Sequence, residues 1–302
     1  MKFSVWPNSA NPTSDILAET SWADEHGFHG VWIADHYMPN TGSEEIKPGD
    51  LHECWALLPA VAVTTSNVRL GPLVSPTSVH HPALLANRAA TIDHLSGGRM
   101  VLGLGAGWQI NEHLAYGIEL QAPKERVDRF EEAIEVTRSL LNDERTTFDG
   151  EYYTFTDAPA DPPAIQSPLP ILVGTGGPRM LRITARFADE WNTWGTVEGA
   201  ADRAAAFARA CEQVGVDPSS KWTSVQALVA LTDTAEQADE ALAGPFGARL
   251  IAGTAESLCE QLAAYDEIGF DEFIVPDFNL GRSLEQRLEN YERLTTEVIS
   301  QL

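Results

Sequence analysis

Short apolar runs alternate with longer amphipathic runs eight times along the chain, and this rhythm constrains the fold more than any other feature. Several of the short runs are apolar at nearly every position, which is typical of parallel strands covered on both faces. One of the longer runs opens on Pro82 and closes at Gly97, as expected for the start and the stop of a helix. The predicted strands are 3–6, 31–35, 68–74, 100–105, 171–174, 190–194, 223–231 and 271–277.

Eight strand–helix units within 302 residues predict an α/β fold, a single (β/α)8 TIM barrel with insertions that spans 1–302. An open doubly wound sheet is the alternative. Two long segments, 36–52 and 143–169, interrupt the rhythm, and loops of this length are usually functional or poorly ordered. The first follows the carboxyl end of a strand, where barrel enzymes place their chemistry.

The chain is strongly acidic, with 20 basic and 44 acidic residues and a net charge of −24. Such a surface repels phosphate backbones and anionic lipid, so neither nucleic acid nor a membrane is expected as a partner. No apolar stretch approaches the ~20 residues of a membrane span, and the first residues lack the apolar run of a signal peptide. The three cysteines are far apart, which favours a reducing compartment and predicts a cytoplasmic protein.

The dipeptide Asp35-His36 closes the second predicted strand and therefore stands at the mouth of the predicted barrel. A histidine in this place can donate or accept a proton near neutral pH. It can equally bond to a loop carbonyl, and the residue type alone leaves both readings open.

Two glycine-rich segments follow predicted strands. The motif G-L-G-A-G, with Gly105 and Gly107, allows the backbone to approach a flat ring closely, or only allows tight strand packing. It lacks the dinucleotide-binding spacing, and no helix is expected to start there. Gly174-Thr175-Gly176-Gly177-Pro178 leads into a predicted helix, so its amides and Arg179 could bind an anion. A strained connection is the alternative.

Other polar and aromatic residues near strand ends are ambiguous. Trp108 and Trp194 could pack in the core or stack on an aromatic ligand. Glu53, at the start of the second helix, could hold a ligand or only favour the helix dipole. His80-His81 has no third ligand at a matching spacing, so no metal site is expected.

One long run resembles a known family. The run RLGPLVSPTSVHHPALLANRAATIDHLSGGRMVLGLGAGW (69–108) is similar to the bacterial luciferase-like monooxygenase superfamily, above all to the branch that uses the deazaflavin coenzyme F420. The segments ADH (34–36), ILVGTGGPRMLRITARFADEWN (171–192) and GTAESLCEQLAAYDEIGFDEFIV (253–275) match in the same order. The resemblance covers essentially the whole chain.

The resemblance implies a cofactor at the carboxyl ends of the strands. His36 would be the catalytic proton donor or acceptor beside the ring, and a non-proline cis peptide bond at Leu73-Val74 would back the ring. The substrate pocket would be bounded by 37–52, 232–252, Glu53, Trp108 and Trp194. The implied cofactor-binding residues are Asp35, His36, Leu73, Val74, Gly105, Gly107, Asn111, Gly174, Gly176 and Gly177.

The implied activity is hydride transfer between C5 of F420 and a small organic substrate. One rival is an FMN-dependent monooxygenase supplied with reduced flavin by a partner reductase, in which Arg126 or Arg179 would help to hold the phosphate. The other is a barrel that binds a ligand without turnover. The resemblance also implies a homodimer through the second and third helices. Because F420 is anionic and the chain is acidic, its affinity is expected to rise with moderate salt.

Overall fold

The computed structural model describes all 302 residues and contains thirteen strands and ten α-helices. The strands are β1 (Lys2–Trp6), β2 (Gly30–Ile33), β3 (Arg69–Pro72), β4 (Ser75–Pro76), β5 (Leu102–Gly105), β6 (Arg145–Asp149), β7 (Thr154–Pro159), β8 (Ile171–Gly174), β9 (Glu190–Trp194), β10 (Trp222–Gln226), β11 (Leu228–Leu231), β12 (Leu250–Gly253) and β13 (Glu272–Pro276). The helices are α1 (Thr13–Glu25), α2 (Cys54–Thr64), α3 (Pro82–Ser96), α4 (Ile110–Tyr116), α5 (Pro123–Asn142), α6 (Pro178–Phe187), α7 (Val197–Gln213), α8 (Ala235–Leu242), α9 (Ala255–Ile268) and α10 (Leu284–Arg293).

Nine of the strands form one parallel sheet in the order β3-β2-β1-β13-β10-β9-β8-β5-β4. The two ends of this sheet meet, because β4 pairs with β5 and a bridge between Leu70 and Met100 joins β3 to the residues just before β5. The sheet is therefore a barrel, and the prediction of a TIM-barrel fold is confirmed. The third predicted strand, 68–74, contains β3 and residues 73–74, and the short strand β4 follows directly after it.

The apolar runs bury both faces of the barrel strands. One large apolar cluster lies between the strands and the surrounding helices. A smaller cluster fills the barrel itself, as it does in other barrels of eight strand–helix units. The members of the inner cluster are Trp6, Trp32, Leu73, Val101, Leu172 and Ile274.

Two glycines allow β3 and β5 to approach each other closely. A Cβ atom at Gly71 would collide with the carbonyl oxygen of Val101, and one at Gly103 would collide with the carbonyl oxygen of Pro72. Any larger side chain would force these backbones apart. For Gly103, the strand-packing interpretation of the G-L-G-A-G motif is therefore correct.

Three elements differ from the sequence predictions. The segment 143–169 contains an antiparallel hairpin of β6 and β7 instead of an unstructured loop. A short helix, α4, begins two residues after Trp108, where no helix was expected. The short strand β12 pairs with β11 and was also missed. Elements of four to seven residues show too few periods for an apolar pattern to be recognised.

No helix combines the length and the apolar character that crossing a bilayer requires.

Candidate active site

A cavity of about 620 Å³ opens at the carboxyl ends of the barrel strands. The carboxyl ends of the barrel strands and several of the loops that follow them contribute to its wall, so residues distant in sequence meet there. In the order of the strands around the barrel, these residues include Val74 before β4, His36 after β2, Trp6 on β1, Phe278 after β13, Trp194 on β9, Gly176 after β8 and Gly105 on β5.

The floor of the cavity is built around the peptide bond between Leu73 and Val74. This non-proline bond is cis, as the family resemblance implies. Two glycines leave space beside it: a Cβ atom at Gly105 would lie 2.8 Å from Val74 Cγ2, and one at Gly174 would lie 3.1 Å from Val74 Cγ1. All four residues line the cavity, and the floor they form has room for a flat group over Val74.

His36 lines the cavity and is held by a carboxylate. Its Nδ1 lies 2.9 Å from Glu112 Oε1, and the backbone amide of Tyr37 donates to Glu112 Oε2 at 2.9 Å. Because a carboxylate only accepts hydrogen bonds, Nδ1 carries the proton and donates it to Glu112. The second ring nitrogen, Nε2, makes no hydrogen bond within the chain and is available to give or take a proton at the cavity wall.

The sequence analysis did not identify Glu112, which is the acid that holds His36. It lies in the first turn of α4, where a carboxylate also suits the helix dipole, and its side chain is almost fully buried. Trp108 stands edge-on to the His36 ring, with 5.7 Å between the ring centroids. A clue was available in the sequence, since Glu112 lies only five residues beyond G-L-G-A-G.

Asp35 does not line the cavity, and its place beside the ring stays a prediction. It is 1% exposed and accepts hydrogen bonds on Oδ2 from Ser75 at 2.5 Å, from His80 at 2.9 Å and from Trp55 at 3.0 Å. Burial raises the pKa of Asp35, but the hydrogen bonds and charge of His80, with those of Ser75 and Trp55, outweigh burial and leave it below its usual value. Asp35 thus ties β2 to β4, α2 and the start of α3 from behind the floor.

The glycine-rich loop before α6 also faces the cavity, through Gly174, Thr175 and Gly176. The backbone amides of Gly176 and Gly177 donate no hydrogen bond within the chain. An Arg203 guanidinium nitrogen lies 3.5 Å from where a Cβ atom of Gly176 would be. Free amides at a helix N-terminus next to an arginine suit an anion. Gly177 caps the helix and is not part of the cavity wall itself.

The arginines of the cavity differ from the predicted one. Arg179 lies outside the cavity wall and pairs with Asp128 and Glu131 on α5, so it is not free for a ligand. Arg126, Arg203 and Arg249 line the cavity instead, and none of them has a carboxylate within 4.0 Å. Arg126 was considered from the sequence; the other two were missed because nothing in their local pattern distinguishes them from surface arginines.

Two more predicted ligand residues, Asn111 and Glu53, form hydrogen bonds with the backbone of the protein. Asn111 is fully buried, and its Nδ2 donates to the carbonyl oxygen of Pro39 at 2.9 Å, so it holds the 36–52 loop. Glu53 caps α2 by accepting from the amide of Ala56 at 2.6 Å. Neither side chain lines the cavity, and contact of either residue with a ligand stays a prediction.

The remaining predicted residues do meet at the cavity. Gly107, Trp108 and Trp194 line it, as do Met38 and Leu51 from the 37–52 segment. A Cβ atom at Gly107 would collide with Ser78 Oγ, and its φ of +87° also favours glycine. That these residues contact cofactor or substrate stays a prediction.

Comparison with known proteins gives the family. The model of the luciferase-like monooxygenase family matches residues 1–255. The chain belongs to this family. A solved structure of the same architecture, the coenzyme F420-dependent tetrahydromethanopterin reductase from Methanopyrus kandleri, superposes with a TM-score of 0.80 over 99% of this chain and 98% of that one. At 19% identity this similarity shows the fold alone.

Two sequence relatives are dehydrogenases. The F420-dependent glucose-6-phosphate dehydrogenase of Kineococcus radiotolerans is 40% identical over 169 residues, which are 55% of this chain and 48% of that protein. The F420-dependent hydroxymycolic acid dehydrogenase of Mycobacterium tuberculosis is 33% identical over 214 residues, 69% of this chain and 56% of that protein. The chain thus spans about half the length of these relatives.

Proposed function

We propose that this chain is an F420-dependent oxidoreductase that transfers a hydride between the deazaflavin and a small organic substrate. The observation that carries the catalytic part is His36, held by Glu112 on the cavity wall with Nε2 unbonded. The choice of cofactor rests on the relatives, two of which are named as F420-dependent dehydrogenases.

The residues present fit such a cofactor. The room above Val74, left open by Gly105 and Gly174, suits a flat ring. The free amides of Gly176 and Gly177, with Arg203 beside them, would hold the phosphate. When bound, F420 supplies the redox chemistry, because C5 of its ring gives or accepts a hydride. His36 Nε2 would give the matching proton to the substrate oxygen, or take it in the reverse direction.

The cellular setting is part of the same proposal. We propose a cytoplasmic enzyme that receives reduced cofactor from a separate reductase. We also propose a homodimer through α2 and α3, since Val63, Leu84 and Leu95 on these helices are 63%, 56% and 46% exposed. Apolar side chains at this level of exposure are well suited to an interface between copies.

The second candidate is an FMN-dependent monooxygenase, which the family name and Arg126 on the cavity wall favour. The third candidate is a barrel that binds a ligand without turnover. The Glu112–His36 hydrogen bond argues for catalysis instead, because it orients a histidine for proton transfer. Titration of the purified protein with F420 and with FMN, followed by tryptophan fluorescence, separates the three. We expect F420 to bind more tightly. Tight FMN binding without F420 binding would favour the monooxygenase, and binding of neither would favour the third.

We expect F420 affinity to fall as salt increases, which reverses the expectation from net charge. The cavity wall carries three arginines and a single acid, Glu112, so the local field at the site is positive. Salt screens this local attraction. Arg203→Gln should weaken F420 binding by about tenfold, since a hydrogen bond to a charged group contributes ~1.5 kcal/mol or more.

The control for this prediction lies on the same helix. Arg209 on α7 is exposed and forms no ion pair, so Arg209→Gln should leave the affinity and its salt dependence unchanged. Fluorescence titration from low to high ionic strength measures both quantities. Equal affinities of the Arg203 and Arg209 variants, or affinity that rises with salt, would remove Arg203 from the phosphate site.

A further inference from the structure

Aromatic rings cover the side of the cavity formed by β1, β9 and β13. Trp6 stands at the end of β1, Trp194 at the end of β9, and Phe278 follows β13. The ring centroid of Trp6 lies 5.5 Å from that of Trp194 and 5.3 Å from that of Phe278. These three rings, here called the aromatic wall, form a continuous apolar surface on which a flat group can pack.

Arg249 lies against this wall. Its guanidinium carbon is 5.6 Å from the ring centroid of Trp194, and no carboxylate lies within 4.0 Å of it. In a chain with 44 acidic and 20 basic residues, an arginine at a cavity without an acidic partner is notable. A guanidinium in this position presents several donors to an anion and can bind a carboxylate through two of them.

The wall is held in place by Asp277. Its Oδ1 accepts from the backbone amide of Asn8 at 2.9 Å, and its Oδ2 accepts from Asn11 Nδ2 at 2.7 Å. Asn8 lies two residues after Trp6, and Asp277 directly precedes Phe278. The loops after β1 and β13 are therefore linked by hydrogen bonds. Because the rings of Trp6 and Phe278 are already fixed, binding a ligand costs less side-chain entropy.

The position of the wall relative to His36 follows from strand order. In the barrel, β2 lies between β1 and β3, so His36 stands between the aromatic wall and the floor at Val74. A molecule packed on the wall would have one end near His36. Its other end would reach toward Trp194 and Arg249.

We propose that the aromatic wall and Arg249 bind an organic anion with a flat, apolar body. This inference rests on the proposed function and names the substrate class of the same site. The reacting carbonyl group lies toward His36, the apolar body packs on the wall, and a carboxylate pairs with Arg249. The class is therefore a carboxylate-bearing aromatic or alicyclic carbonyl compound.

The first test compares two aldehydes that differ only in charge, 4-carboxybenzaldehyde and its methyl ester, with reduced F420. We expect the wild-type protein to prefer the acid. Arg249→Gln should raise the KM for the acid by about tenfold or more and leave kcat within about twofold, as for loss of a binding contact. The KM for the ester should not change. The control, Arg209→Gln, should leave both substrates unaffected.

The second test does not depend on turnover or on F420. Titration of the cofactor-free protein with benzoate in a calorimeter measures the anion site directly. We expect binding that weakens in Arg249→Gln and in Trp6→Leu, since the latter removes one aromatic ring of the wall. Arg209→Gln should bind benzoate like the wild-type protein.

Four results would overturn the proposal. The calorimetric one is that benzoate does not bind to the wild-type protein. The kinetic ones are equal KM values for the acid and the ester, better turnover of glucose-6-phosphate than of either aldehyde, and an Arg249→Gln variant that loses F420 affinity but keeps its KM for the acid. The last would assign Arg249 to the cofactor. Failure of the proposed function looks different, because F420 would then not bind to the wild-type protein while benzoate still would.

Discussion

Replacing His36 with alanine should lower kcat by about 10²- to 10⁴-fold, the usual contribution of a positioned general acid or base. F420 affinity should stay nearly constant, because the imidazole supplies a proton and the floor at Leu73 and Val74 supplies the surface for the ring. Steady-state kinetics with reduced F420 and fluorescence titration measure the two quantities separately. His26, which is exposed on the outside of the barrel, offers the control, and His26→Ala should leave kcat unchanged.

Glu112 should act through His36 as a positioning residue. A glutamine has one acceptor oxygen, so in Glu112→Gln it can serve either His36 Nδ1 or the amide of Tyr37, where the carboxylate serves both. We expect kcat to fall about tenfold, the equivalent of one hydrogen bond, with KM unchanged. In the double variant His36→Ala/Glu112→Gln, the second substitution should cost nothing further. Additive losses would show that Glu112 contributes independently of His36.

Asp35→Ala should destabilise the protein by about 2–4 kcal/mol, because it removes a buried acceptor and a buried donor left unpaired costs ~1–3 kcal/mol. Ser75 Oγ would lose its acceptor, while Trp55 Nε1 and His80 Nε2 would keep only their contacts with Ser75 Oγ and the Tyr37 hydroxyl. Urea unfolding followed by tryptophan fluorescence measures the difference. Glu44 is exposed in the 36–52 loop and forms no ion pair, so Glu44→Ala should change stability by less than about 0.5 kcal/mol.

The contribution of Asp35 should depend on pH in one direction. Its pKa in the folded protein lies below the ordinary value of 3.8, because the hydrogen bonds and charge of His80, together with Ser75 and Trp55, outweigh the opposing effect of burial. Stability from a lowered carboxyl pKa is fully present above the unfolded value and is lost as pH falls through the folded value. The difference between wild-type protein and Asp35→Ala should therefore be constant from pH 7 to 5 and shrink below about pH 4. A difference that grows on acidification would contradict this.

The sequence predicted the barrel because its strands can be recognised from their apolar runs alone. Parallel strands buried on both faces must be apolar at nearly every position, and ILVG at 171–174 coincides with β8. The glycine-rich loops were recognisable for a similar local reason, since a backbone that approaches a ligand or another strand closely requires glycine. Strand order and the place of His36 at the mouth followed from the fold class.

Charged residues gave no comparable signal. Glu112 is one of 44 acidic residues, and only the closure of the barrel places it against His36, 76 positions earlier in the chain. Asp35 was expected beside the ring because it precedes His36, yet alternate residues of an extended segment point in opposite directions, and its side chain turns into the protein. Asn111 and Glu53 likewise have partners, the Pro39 carbonyl and the Ala56 amide, that no motif indicated.

The sequence by itself determined the barrel, the glycine loops and His36 at the mouth, and its resemblance to a known family implied the cis bond at Leu73-Val74. Only the tertiary structure decided which arginines face the cavity, which acid holds His36, and that the local charge opposes the net charge of −24. The physical reason is range. Backbone conformation and burial impose patterns over a few residues, whereas the pairing of side chains depends on chain segments that meet only when β3 and β4 close against β5.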